Sequence, residues 1–325
     1  MDNQKKQYTV LESQNNARLD VFLALQLDIT RSKVQKLIKL AFVKVNNVTA
    51  KKTGVALQTG DKVVVEEQLI KENKEKKTEE TYVDYNTINI LEETEDYLVI
   101  NKPAGLLVHQ TEALEKYTLT NWLCKRNPGI TSVGEDSLRP GIVHRLDKPA
   151  SGVMVIAKNQ QMFLHLKKQF QERSIKKEYT VLVHGVVEQE YGQIDFEIAR
   201  GKEGKMVSRP KTNELSLKNI AKVQKGKDAL TEFSVEKTFS RFTLLNVKIH
   251  SGRTHQIRVH MLAYNHPVVG DTLYYNKRNN KKHDIDLGRL FLHASSLCFT
   301  TLAGKEVCFS ASLPDDLQQH ISQLV

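Results

Sequence analysis

The run Arg139-Pro140-Gly141-Ile142-Val143-His144-Arg145-Leu146-Asp147-Lys148-Pro149-Ala150-Ser151-Gly152 sets one carboxylate among three cations: His144, Arg145 and Lys148. It reads as a loop between apolar runs, with a proline near each end. A carboxylate kept charged by neighbouring cations can serve as a nucleophile or a general base. The same pattern also describes a loop aspartate that caps a turn or makes a surface salt bridge, so Asp147 alone decides nothing. A second run, Gly252-Arg253-Thr254-His255-Gln256-Ile257-Arg258-Val259-His260, gathers three histidines and two arginines when His250 is included. His255 and His260 are five apart, whereas a helical metal pair is four apart, and no His-Glu-x-x-His occurs; a metal site is not expected. A basic, hydrogen-bonding wall for a polyanion suits the run better. The competing account is a turn followed by a helix whose cations face solvent.

Both runs lie in a large back module, from about residue 84 to the C-terminus. Short β-like runs recur there: Asn89–Leu91, Tyr97–Ile100, Val153–Ile156, Tyr179–Val183 and Phe242–Val247. Helical stretches interleave with them near residues 118–126 and 159–172, the second placing Met162, Phe163, Leu166 and Phe170 at core spacing. Helices among hairpin-like strands predict an α+β domain with a mixed, largely antiparallel sheet. Residues 201–228 interrupt the pattern with eight basic residues against three acids and several glycines, the composition of a cationic hairpin or loop. Such a loop suits RNA clamping, or is simply a solvated surface.

Ahead of this module, residues 71–80 read KENKEKKTEE, wholly polar and without periodicity, which makes them a linker. The division is residues 1–70, a charged linker over 71–83, and 84–325. In the front module Thr30 is the expected N-cap of a helix from Arg31 to about Leu40. Val34, Leu37 and Ile38 share one face, while Arg31, Lys33, Lys36 and Lys39 occupy much of the rest. Alternation through Phe42–Val45, the turn pair Asn46-Asn47 and the run KVVVEE at 62–67 add short strands. A basic helix beside a small sheet is a plausible reader of RNA backbone; lysines on a helix's outer face are also commonly just solvated.

Composition sets the outer limits. Lys plus Arg is 48 against 38 acids, a net charge of +10 in 325 residues. That excess favours a polyanionic partner through counterion release. Cys124, Cys298 and Cys308 are odd in number and form no Cys-x-x-Cys, so neither a disulfide framework nor a zinc site is expected, and a reducing compartment is the simplest account. The polar start and the lack of an apolar run approaching about 18 residues predict a cytoplasmic protein with neither signal peptide nor membrane span.

Ala17-Arg18-Leu19-Asp20-Val21-Phe22-Leu23, Thr30-Arg31-Ser32 and Val43-Lys44-Val45-Asn46 together resemble the small alpha-L RNA-binding fold named after the fourth small-subunit ribosomal protein. Ala41 and Asn47 stand where that fold commonly has glycines. In the back module, Asn101-Lys102-Pro103-Ala104-Gly105 with His109, the His144–Gly152 run, Lys177-Glu178-Tyr179, Gly226-Lys227 with Ala229 and Thr231, the Gly252–His260 run, His266-Pro267 with Gly270-Asp271, and Leu292-His293-Ala294 occur in the order seen in RluA-type pseudouridine synthases. The resemblance covers nearly the whole module. It departs at Lys148-Pro149-Ala150-Ser151, where Lys-Asp-Thr-Ser is frequent, and at Ser251, where threonine often stands.

The resemblance implies a pseudouridine synthase of the large-subunit ribosomal RNA branch, needing no cofactor and acting on structured RNA, with transfer RNA as the alternative target and a monomer as the expected state. It implies that Asp147 is the catalytic residue, with Arg258 as its ion-pair partner. Tyr179 then stacks on the flipped base, and its hydroxyl helps remove the C5 proton. Arg145 fills the gap the base leaves, and Leu292 lines the uracil pocket. His144 joins the uridine site, and Arg31, Lys33 and Lys36 hold RNA on the front module. Two other classes compete: an RNA-binding ribosome-assembly factor without catalysis, and a metal-dependent nuclease built on the histidines.

Overall fold

The computed structural model describes residues 5–27, 29, 31–66, 84–110, 115, 117–136, 138–201, 204–210, 226–275 and 287–324. The proposed linker, the expected cap Thr30 and much of the basic 201–228 segment lie outside these residues. The chain forms two units, Met1–Glu79 and Glu80–Val325.

In the first unit α1 (Leu19–Leu27) and α2 (Arg31–Lys39) accompany four antiparallel strands, β1 (Lys5–Thr9), β2 (Val43–Val45), β3 (Val48–Thr49) and β4 (Lys62–Glu66), in the order β1-β4-β2-β3. Val34, Leu37 and Ile38 face the core with Leu19, Leu23, Leu57 and Val63, as the spacing in α2 predicts. Ala41 ends α2 at φ +65°, taking the left-handed conformation a glycine commonly supplies there. Asn46 and Asn47, at φ +49° and +64°, turn β2 into β3, which asparagine does at small cost. The sequence shows no one-sided periodicity in α1, because apolar residues run nearly all round it.

The second unit is built on one sheet in the order β10-β9-β11-β12-β8-β13-β7-β6-β5, with β14 pairing β13. Its strands are β5 (Asn89–Glu93), β6 (Tyr97–Lys102), β7 (Ser151–Ala157), β8 (Lys176–His184), β9 (Tyr191–Arg200), β10 (Met206–Pro210), β11 (Leu230–Thr238), β12 (Phe242–Ile249), β13 (Leu292–Thr300) and β14 (Glu306–Ser310). Every described pairing is antiparallel except β7 with β13, so the sheet is mixed and largely antiparallel, and the unit is α+β. At that parallel contact Gly152, at φ +121°, lies so close to Ala294 that a Cβ would stand 2.3 Å from its carbonyl oxygen. No larger residue fits there without moving a strand.

Helices α3 (Leu119–Arg126), α4 (Gln160–Glu172), α5 (Gln256–Ala263) and α6 (Asp315–Ser322) complete the unit. Thr118 and Asn159 cap α3 and α4 by accepting backbone N–H bonds from Asn121 and Met162. Met162, Phe163 and Leu166 of α4 are buried in the main core.

One expectation is overturned. Cys298 and Cys308 form a disulfide, because β13 and β14 set them directly opposite each other. Their ten-residue separation is hairpin spacing, which the search for Cys-x-x-Cys pairs passes over. The argument for a reducing compartment from the cysteine pattern therefore loses its support. Cys124 is free. Among the described residues no helix is long and apolar enough to cross a membrane.

Candidate active site

The Asp147 loop is anchored along its whole length before the carboxylate is presented. At its start, Ala157 N–H donates to the Gly141 carbonyl and Ile142 bridges Ile156, tying the loop to β7. His144 Nε2 then accepts Val155 N–H at 3.1 Å, and its ring stacks on Phe170 at 4.8 Å. Burial, with Lys177 adding to it, pushes His144 down to about 3, so the ring is neutral and its Nε2 is committed to the fold. Leu146 is buried beneath the loop. Past the aspartate, the Lys148 carbonyl accepts Gly105 N–H at 2.8 Å and lies 3.5 Å from Lys102 Nζ.

Lys102 is buried, and among the described residues its hydrogen-bond partners are backbone carbonyls and not carboxylates. It is fully enclosed, and its Nζ donates to the carbonyls of Pro103 (2.8 Å) and Leu106 (2.9 Å). Burial, reinforced by Arg289 and opposed by Asp147, lowers it to about 7. It braces the 103–106 turn against the Asp147 loop.

Arg258 approaches from the other side, in the first turn of α5. A cation at a helix N-terminus opposes the helix dipole. Two carboxylates offset this: Arg258 donates through NH1 to Asp147 Oδ2 at 2.9 Å, and through Nε and NH2 to Asp271 at 2.7 and 2.8 Å. Arg258 is 3% exposed, and its guanidinium lies 5.0 Å from the centre of the Tyr274 ring. Burial disfavours its charge, but the two aspartates more than compensate and raise its pKa further. Asp271, with a wholly buried side chain, also accepts the backbone N–H groups of Leu273 and Tyr274, which fixes its orientation. Asp271 thus aims Arg258, and Arg258 aims Asp147.

Gln256 stiffens the turn ahead of α5. Its Oε1 accepts from Ser251 Oγ and Arg253 N, and its Nε2 donates to Leu230 O and Thr231 Oγ1. His260 lies between Thr231 Oγ1 and the Phe196 carbonyl, so the two histidines of this run serve different partners.

These elements enclose a cleft of about 630 Å³ lined by Asp147, Tyr179, Arg258, Arg145, His144 and Leu292, among others. All six back-module residues predicted from the sequence therefore meet in one place. Tyr179 is 7% exposed, and burial together with the Asp147 charge holds its hydroxyl well above the ordinary tyrosine range. A phenol held protonated in this way can donate a hydrogen bond into the cleft. Arg145 is exposed at the mouth of the cleft, its NH1 3.5 Å from His109 Nε2. His109 is pushed down to about 4 by burial, then by Arg139 and Arg145, and so faces Arg145 as a neutral ring.

The front-module residues divide. Arg31 Nε donates to the buried Asp20 at 2.9 Å, alongside Arg18 and Gln35, so part of its guanidinium serves the fold. The side chains of Lys33 and Lys36 lie outside the described residues. Sequence reasoning assigned no role to Asp271, Tyr274 or Lys102, and none to His255 beyond the basic wall. Asp271, Lys102 and His255 stand in the ordered motifs, which was their signal, whereas Tyr274 carried none.

The sequence matches the RNA pseudouridylate synthase family over residues 96–263 and the S4 domain family over 17–63. An uncharacterized RNA pseudouridine synthase of Aquifex aeolicus is 42% identical over 260 residues, covering 79% of this chain and 76% of its own. Ribosomal large subunit pseudouridine synthase D of Xanthomonas campestris is 32% identical, covering all of this chain and 94% of its own. The structure of human RNA Pseudouridylate Synthase Domain Containing 1 superposes with a TM-score of 0.55 at 26% identity, over 72% of this chain and 86% of that one. The chain belongs to the RNA pseudouridine synthase family, with an S4 RNA-binding domain ahead of the catalytic one. It is an isomerase acting on RNA.

Proposed function

We propose that Asp147 is the catalytic residue and that the enzyme modifies uridines of large-subunit ribosomal RNA, acting as a monomer. The observation that carries the first part is the Asp147 carboxylate itself. Its side chain is only 15% exposed, it lines the cleft, and one oxygen is tied to Arg258 while the other lies 3.9 Å from His255 Nε2. A flipped uridine entering this cleft would meet the Asp147 carboxylate, the Tyr179 ring and Leu292 together. Arg145, at the mouth, is suited to fill the vacated stack, since a planar guanidinium stacks on neighbouring bases. Isomerisation exchanges a C–N for a C–C glycosidic bond without redox change or phosphoryl transfer, so positioned side chains can supply what the chemistry asks.

The ribosomal target is supported by an S4 domain in front of the catalytic one and by full-length similarity to a large-subunit enzyme. Mapping carbodiimide-induced reverse-transcription stops in total RNA from a strain lacking the gene tests it. Loss of stops in large-subunit ribosomal RNA is expected. Loss confined to transfer RNA would overturn the target while leaving the chemistry intact.

A further inference from the structure

We infer that His255 is a positioning residue for the Asp147 carboxylate, oriented by Tyr274 so that its Nε2–H faces the oxygen Arg258 leaves free. This rests on the reading of Asp147 as the catalytic group.

The two oxygens of Asp147 are not equivalent. Oδ2 accepts from Arg258, whereas Oδ1 faces His255 Nε2 at 3.9 Å. The other ring nitrogen, Nδ1, lies 2.9 Å from the Tyr274 hydroxyl, and that hydroxyl accepts Met206 N–H at 3.0 Å. A phenol has a single hydrogen. With its oxygen engaged by Met206, the arrangement that satisfies all three groups has Tyr274 O–H donating to Nδ1. Nδ1 is then an acceptor and the proton of the neutral ring sits on Nε2, toward Asp147. Burial lowers His255 from its ordinary value, Asp147 and Asp271 oppose that, and Arg258 and Arg145 act with burial. The net direction favours the neutral ring that the hydrogen bonds require.

The backbone points the same way. His255 precedes α5 at φ +55°, a left-handed conformation unusual for a residue with a Cβ. Such strain gathers where a side chain must be aimed. Tyr274 is 4% exposed and also carries Arg258 on its ring, so one tyrosine sets both groups that address Asp147. Met206 opens β10, so the hydrogen-bond chain reaches the hairpin that leads into the basic segment.

Total RNA labelled with [5-³H]uridine, from a strain lacking the gene, serves as the probe. Isomerisation releases the C5 hydrogen to water, so single-turnover tritium release reads the chemistry and its half-saturating enzyme concentration reads binding. Tyr274→Phe and His255→Ala should each slow the rate constant by about tenfold or more, the scale of a misplaced reacting group, with half-saturation unchanged. The double variant should be no slower than His255→Ala, because both changes act through one ring. His255→Gln, which returns an N–H near the Nε2 position, should recover part of the rate. A wild-type rate in His255→Ala, a loss confined to binding, or effects that multiply in the double variant would overturn the inference. The ring ¹⁵N spectrum of the wild-type protein is an independent check that requires no variant to fold. Nε2–H is expected, and Nδ1–H would refute the assignment. Asp147→Ala is run beside these. If it releases tritium normally, the reading of Asp147 has failed; if it is inert while His255→Ala is fully active, only the role of His255 has failed.

Discussion

Replacing Asp271 with asparagine tests whether the Asp147–Arg258–Asp271 chain is a working unit. The amide is nearly isosteric, and its oxygen can still accept the N–H groups of Leu273 and Tyr274. Its nitrogen cannot accept Arg258 Nε–H, which now sits 2.7 Å from Asp271 Oδ2. Two donors then face each other, and an arginine that is 3% exposed keeps only Asp147 as an anionic partner. Breaking a buried ion pair from one side costs about 3–5 kcal/mol. With the turn contacts retained, the lower end, about 3 kcal/mol, is expected. At a urea dependence of about 3 kcal/mol per molar, the midpoint falls by about 1 M. Trp122 is the single tryptophan and lies in α3, so its fluorescence follows the second unit without interference from the first. Activity should fall further than stability accounts for: a guanidinium released from behind lets Asp147 drift, and an ångström at a reacting group can cost about a hundredfold. Single-turnover tritium release on folded protein, in urea-free buffer, measures that loss. An unchanged midpoint together with a wild-type rate would refute the claim that Asp271 aims Arg258.

Further outcomes follow from the buried charges. Lys102 drops from 10.5 unfolded to about 7 folded, so between those values the unfolded chain holds more protons and stability rises with pH. The stability of the wild type relative to Lys102→Met should therefore increase from pH 7 to pH 10, by up to about 1.4 kcal/mol per pH unit, and a flat difference in urea midpoints would contradict it. Asp20 behaves in the opposite sense. Burial opposes its charge, yet bonds from Arg18, Gln35 and Arg31 hold its carboxyl below the usual range. Its contribution is complete above pH about 4 and is lost as the pH falls below that. Asp20→Asn should speed amide hydrogen exchange in α1 and α2 by about tenfold, corresponding to about 1.4 kcal/mol because the arginines left behind are half exposed, and leave the second unit unchanged; equal exchange in wild type and variant would show that Asp20 is dispensable.

Much of the architecture was legible because patterning and packing agree. The spacing of Met162, Phe163 and Leu166 identified α4, and the apolar runs at 97–100 and 179–183 marked strands β6 and β8. Strands β9, β11 and β14 escaped because they alternate with polar or charged residues on an exposed face, a pattern that a loop can share. The six residues in the cleft were legible through ordered motifs, although they come from four separate segments spread between residues 144 and 292. What could not be read was the set of groups behind them. The roles of Asp271 and Tyr274 are set by contact with Arg258 and His255, and such contacts leave no periodic trace in sequence even where the residue stands in a motif. The disulfide was missed for the same reason, since the register of β13 against β14 is what brings Cys298 to Cys308.

Whether the Asp147 carboxylate performs the isomerisation is decided by Asp147→Ala on total [5-³H]uridine-labelled RNA. The substitution removes the acceptor of a single Arg258 hydrogen bond and leaves the Asp271 pair intact, so the protein should fold and still bind RNA. No tritium release above background and no new carbodiimide-dependent stops are expected, with RNA bound as tightly as by the wild type. Tritium release at a rate near that of the wild type would contradict that role for Asp147.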